Sequence, residues 1–191
     1  MPSDKFCIFA DVNCLKTAFV NKNINKMKIV IVGTAHPYRG GLAAYNERLA
    51  HEFVKEGHEV EIFTFSLQYP SFLFPGKSQF SDEKAPSGLR IHQRVNSVNP
   101  LNWMAVGREI KKMQPDMVIF CYWMAFMAPC FGTIARFARS PRTKMIALVH
   151  NMIPHEPTVL DKLFPGYFVR SMDGFVAMAD SVIEDVKYFD A

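Results

Sequence analysis

A chain of 191 residues, 49% hydrophobic and 21% charged, carries enough apolar side chain for one well-buried core, which excludes a disordered or low-complexity protein. Its net charge of +4 comes without a lysine- or arginine-rich run and without interleaved basic and aromatic residues, so no nucleic acid is expected as a partner; an anionic ligand or a weak attraction to anionic lipid fits better. Cys7, Cys14, Cys121 and Cys130 form no CxxC pair and are expected as free thiols of a cytoplasmic protein rather than as zinc ligands.

Residues 1–26 scatter Asp4, Lys5, Asp11 and Lys16 among apolar residues, so they lack the apolar core of a signal peptide, and 21–26 reads as a polar linker. They are expected to be an extension, not native or disordered, with Met27 as the natural start; the alternative is a helical arm packed on the domain. The domain proper is 27–191. It opens with a strand, Lys-Ile-Val-Ile-Val-Gly, at 28–33. A helix over 42–56 follows, with Leu42, Tyr45, Leu49 and Phe53 on one face and Gly57 at its C-terminal cap. A strand spans 59–65, and a long loop occupies 66–87. A more amphipathic strand at 89–95 belongs near a sheet edge. Pro100 starts a helix that runs to residue 113.

The stretch 117–135 is uncharged over about 19 residues, long enough to be weighed as a membrane span. Its composition divides it instead. A β-rich run at 117–122 follows Pro115-Asp116, and a helix over 124–138 contains Pro129 and Gly132. A parallel strand buried on both faces is continuously apolar without any lipid. A strand at 144–150, a helical region at 158–172, a strand at 174–178 and a helix over 180–189, capped by Asp180 or Ser181, complete the chain. This alternation predicts an α/β fold, a doubly wound parallel sheet of about six strands with helices on both faces. Ligands of such sheets bind beyond the carboxyl ends of the strands, near the point where strand order reverses.

Two loops at that end carry chemistry. The first, Thr34-Ala-His-Pro-Tyr-Arg-Gly-Gly41, leads into a helix. Gly40 and Gly41 let backbone approach a ligand, and the free amides at the positive helix N-terminus suit a diphosphate. The spacing is neither the dinucleotide fingerprint nor a Walker motif, and a plain flexible turn is the alternative. The second loop is His150-Asn-Met-Ile-Pro-His-Glu-Pro157. His150 is able to donate a hydrogen bond to a sugar hydroxyl, or to be a structural histidine satisfied by backbone. His155 and Glu156 can pair or simply shape the loop. The His150–His155 spacing matches no helical metal motif, so no metal is expected. The aromatics of Tyr-Pro-Ser-Phe-Leu-Phe-Pro-Gly at 69–76 cover an acceptor, touch a bilayer surface, or fold back on the core.

The strand, the loop ending Gly-Gly and the helix with Tyr45 and Leu49 resemble the opening of family 4 GT-B glycosyltransferases. So do Tyr-Pro-Ser-Phe-Leu-Phe-Pro-Gly-Lys at 69–77, Asn-Pro-Leu-Asn-Trp at 99–103, His-Asn-Met-Ile-Pro-His-Glu at 150–156 and Ala-Met-Ala-Asp-Ser at 177–181, over about 27–191. The resemblance implies the Rossmann-like, acceptor-side half of a GT-B enzyme. It implies retaining, metal-independent transfer of a hexosyl group from a nucleotide sugar, with no other cofactor, to a glycan or lipid-linked acceptor of polysaccharide biosynthesis. Gly40 and Gly41 would reach the donor diphosphate and His150 would lie beside the transferred sugar as the catalytic residue. Tyr38, Arg39, Asn151, His155 and Glu156 would line the acceptor side of the cleft. The family's paired glutamates of the donor domain do not occur in this sequence, so a C-terminal domain in cis or in trans is expected to complete the site, and the chain alone to be inactive. The expected location is cytoplasmic, at most peripheral on the inner face of the membrane. Two rival readings stand beside this one. The first is a stand-alone acceptor-binding subunit that recruits a donor domain. The second is a nucleotide-binding oxidoreductase using Glu59 or Glu61 at the ribose, which lacks its glycine fingerprint.

Overall fold

The computed structural model describes residues 5–8, 26–70, 79–152 and 159–190. Seven strands form one sheet: β1 (Phe6–Ile8), β2 (Lys28–Val32), β3 (Glu59–Leu67), β4 (Arg90–Asn96), β5 (Met117–Tyr122), β6 (Lys144–Val149) and β7 (Gly174–Ala177). Their order is β1-β7-β6-β5-β2-β3-β4, and every pairing is parallel. The helices are α1 (Gly41–Lys55), α2 (Pro100–Met113), α3 (Ala128–Ala138), α4 (Val159–Val169) and α5 (Asp180–Asp190).

Sequence periodicity places most of these boundaries within two residues, and α2 and β5 fall where Pro100 and Pro115-Asp116 put them. Asn99 closes the start of α2 by accepting the amides of Leu101 and Asn102 through Oδ1. At the end of α1 the amides of Gly57 and His58 bond the carbonyls of Val54 and Phe53, the Schellman pattern. At α5 the expected capping role shifts. The amides of Val182 and Ile183 bond Ala179, so Asp180 stands in the first turn, where its charge complements the helix dipole. The apolar run 117–135 is β5, buried at all six positions, followed by a 3-10 turn at Ala125–Met127 and then α3. Among the described residues no helix is long and apolar enough to cross a membrane.

The segment read as an N-terminal extension supplies the seventh strand. Phe6, Cys7 and Ile8 pair with Phe175, Val176 and Ala177, the Phe6 and Phe175 rings stack at 5.5 Å, and Lys5 bonds Asp190 at 2.6 Å. Cys7 is held in a disulfide, which corrects the expectation of four free thiols. Cys121 and Cys130 are free and buried, and burial pushes both thiols far up.

Two apolar layers sandwich the sheet. Leu49, Ala50 and Phe53 of α1 pack against one face, on Ile29, Ile31, Val60 and Ile62. Residues of α2, α3, α4 and α5, among them Ile110, Phe131, Phe168 and Val186, pack against the other, on Val30, Phe63, Val118 and Phe120. This asymmetry follows from right-handed crossovers. The chain moves one way from β2 to β3 and the other way from β4 back to β5, β6 and β7, so the helices change face. The reversal lies between β2 and β5, and that is where a doubly wound sheet opens its ligand crevice.

Candidate functional site

The loop after β2 leaves the sheet at Gly33, where a Cβ would lie 2.9 Å from both the Asn46 side-chain nitrogen and Cys121 Cβ. Only hydrogen fits between α1 and β5 there. Beyond it the loop is tied down from several sides. Thr64 Oγ1 accepts from the Ala35 amide at 2.9 Å, and Asn46 Nδ2 donates to the Thr34 carbonyl at 2.9 Å. The His36 amide donates to Glu47 Oε1 at 2.6 Å, and the His36–Pro37 peptide is cis. A second strand-like stretch clips the loop from outside. Tyr38 and Phe80 form an antiparallel bridge, Arg39 donates its amide to Gln79, and Ser81 donates its amide to Pro37.

The loop ends at Gly40, whose φ of +114° is a conformation that L side chains rarely adopt. Gly41 begins α1. The helix has no side-chain cap and no acidic residue in its first turn, so its own first turn leaves the partial positive charge of its leading amides unneutralised. Gly40 and Gly41 are both exposed, and a Cβ on either would meet nothing within 4 Å. Arg39 is exposed beside them. Tyr38 is 5% exposed, its ring packed on Phe65 and Phe80, and burial raises its phenol above the usual value. A cavity of about 650 Å³ lies along this flank of α1, bordered by Arg39, Gly40, Glu47, Asp82, Glu83 and Lys84.

His150 stands directly after β6. Its backbone amide bonds the Tyr122 carbonyl at 2.9 Å, and its ring meets the Tyr45 ring edge-to-face, centroids 5.0 Å apart and planes at 86°. Nε2 is buried and makes no hydrogen bond among the described residues. Burial lowers the imidazole pKa, so the ring is neutral at pH 7 and can exchange one hydrogen bond without adding charge. Thr34 Oγ1 and Asn46 Oδ1 are likewise buried without partners. A buried polar atom left unmade costs about 1–3 kcal/mol, and three of them gather where the sheet opens. Asn151 is exposed next to His150. His155 and Glu156 lie outside the described residues.

The structure therefore separates the sequence-predicted residues onto two flanks of α1. Arg39 and Gly40 border the cavity on the Glu47 side. His150 lies on the Tyr45 side, about 200° away around the helix axis. Thr64, Asn46, Glu47 and Tyr45, which hold these pieces in place, were not singled out for those roles by the sequence. Only Tyr45 carried any signal, as one apolar-face residue of a helix.

Residues 39–188 match the family described as Glycosyltransferase Family 4. The chain belongs to that glycosyltransferase family. One solved structure of like fold is an alpha-glucosyltransferase in complex with UDP and a 13-mer DNA containing a central A:G mismatch; the TM-score is 0.52 at 13% identity, over 83% of this chain and 39% of that one. Another is an alpha-glucosyltransferase in complex with UDP-glucose and DNA containing an abasic site, with a TM-score of 0.52 and 13% identity over 82% of this chain and 37% of that one. At that identity the likeness speaks for the fold alone, and this family 4 domain spans well under half the length of either structure. No curated protein matches it.

Proposed function

We propose that this family 4 domain is the acceptor-side half of a retaining, metal-independent hexosyltransferase that takes its sugar from a nucleotide sugar and passes it to a glycan or lipid-linked acceptor in polysaccharide biosynthesis. The observation that carries the reading is the uncapped N-terminus of α1. Its leading amides follow a braced loop, have no acidic residue in the first turn of the helix, and lie at the same end of the sheet as His150. Such a terminus stabilises the negative charge that grows on a departing diphosphate, and a fixed loop does so with little reorganisation. The neutral His150 ring suits a hydroxyl of the transferred sugar. Binding the two reactants in one cleft supplies orientation. The carboxylates of Glu47, Asp82 and Glu83 accept hydrogen bonds from hydroxyls, which fits a sugar acceptor on the cavity flank. The donor side belongs to a second domain, in cis or in trans, that closes the cleft. A peripheral cytoplasmic location fits a lipid-linked acceptor.

The test compares the chain alone with the chain joined to a donor-side domain, reading release of nucleoside diphosphate from a panel of nucleotide sugars against glycan, lipid-linked and DNA acceptors. The chain alone is expected to give no turnover. In the completed enzyme His150→Ala is expected to lower kcat by about 10²–10³, the scale of losing one transition-state hydrogen bond. Turnover by the chain alone, or a full rate in His150→Ala, would overturn the reading. Transfer to DNA alone would replace the acceptor class.

A further inference from the structure

We infer that Tyr45 is a positioning residue that holds the His150 imidazole in register with the first turns of α1. The inference rests on the reading of His150 as a site residue and goes beyond it. The bond from the His150 amide to Tyr122 fixes the backbone at the end of β6 but leaves χ1 and χ2 undetermined. Nε2 makes no hydrogen bond that would set the ring plane. Among the described residues, the ring contact on His150 is the edge-to-face one with Tyr45 at 5.0 Å and 86°, an arrangement aromatic pairs prefer because positive ring edges meet negative faces.

Tyr45 is itself well anchored. It packs with the apolar layer under α1, beside Cys121 of β5. It also sits about one helical turn beyond Gly41, roughly 6 Å along the axis. Its neighbour Asn46 holds the other loop, through the Thr34 carbonyl. Consecutive residues of one helix therefore reach the two loops of the site, Asn46 towards the glycine loop and Tyr45 towards His150. A shift of α1 on ligand binding carries both loops together, so the imidazole keeps its place relative to the leading amides.

The experiment needs neither donor nor acceptor. The full chain is labelled with ¹³C,¹⁵N-histidine, and the χ1 couplings and ring relaxation of His150 are compared in the parent chain, Tyr45→Phe and Tyr45→Leu, with thermal unfolding as the check on folding. A single ordered rotamer is expected in the parent and in Tyr45→Phe, which keeps the ring, and rotamer averaging with faster ring motion in Tyr45→Leu. Should Tyr45→Leu fail to fold, Tyr45→Met takes its place. An ordered, unchanged His150 rotamer in the ringless variant would overturn the inference, as would averaging in Tyr45→Phe. The transfer assay on His150→Ala tests the underlying reading separately: a catalytically idle His150 with ring order dependent on Tyr45 sinks that reading and leaves the positioning contact standing.

Discussion

The two loops at the crevice are built on opposite plans. The glycine loop after β2 is braced from β3 by Thr64, from α1 by Asn46 and Glu47, and from outside by the Gln79–Ser81 stretch. Among the described residues, the residue that opens the loop after β6 is held by a backbone bond to Tyr122 and a ring contact with Tyr45. A loop that must present backbone amides needs its dihedral angles fixed, and hydrogen bonds to backbone do that. A loop that presents a side chain needs only its ring plane set, while its polar atom stays without a partner among the described residues.

The sharpest way to break the contrast is at the root of the braced loop. Gly33→Ala places a methyl group 2.9 Å from Cys121 Cβ, between a helix and the central strand, where neither neighbour can move freely. A loss of about 2–3 kcal/mol is expected, the upper part of the overpacking range, read as a lowered urea midpoint at constant slope. Next comes the pair of glycines at the loop's end, which look equivalent in sequence. Gly40→Ala is expected to cost about 1–3 kcal/mol, because φ +114° with ψ 175° is a region essentially only glycine adopts. Gly41→Ala, at the first helical position with open space around it, is expected to be neutral or slightly stabilising. Equal losses at both sites would show that their conformations are alike after all.

The smallest effect belongs to His150. Its folded pKa is lowered, so below the ordinary histidine value of about 6.5 the unfolded chain binds a proton that the native ring resists. Its contribution is therefore complete above that value and is lost as pH falls through the window beneath it. Replacement by Gln is expected to flatten the decline of stability over that window, as read by chemical denaturation at a series of pH values. An unchanged pH profile would mean the ring protonates as easily folded as unfolded.

The fold was largely legible because its signals are local. Continuous apolar runs marked β5 and β6, Pro100 and Gly57 marked helix ends, and the weak alternation at 89–95 marked β4 as the edge strand it is. The short strand β1 was missed because three residues carry no period, and its partner β7 lies at the other end of the chain. In the site, the glycine pair and His150 stood out by type and by position after a strand. The braces did not, because Thr64 reaches Ala35 across 29 residues and Asn46 reaches Thr34 across 12, and such contacts have no spacing rule. Tyr38 is a further case: the bridge to Phe80 and the packing on Phe65 bury most of its ring, a long-range arrangement no spacing announces, while the residue still borders the cavity beside Arg39 and Gly40.

Cys121 lies in the central strand and Cys130 in a helix on one face of the sheet, both fully covered, with thiols kept protonated by their surroundings. A thiolate is the form that reacts, so an alkylating reagent meets neither while the layers stay closed. The two cysteines thus act as built-in clocks. Labelling at Cys130 alone times the peeling of a helix from the sheet, and labelling at both times the parting of the strands themselves.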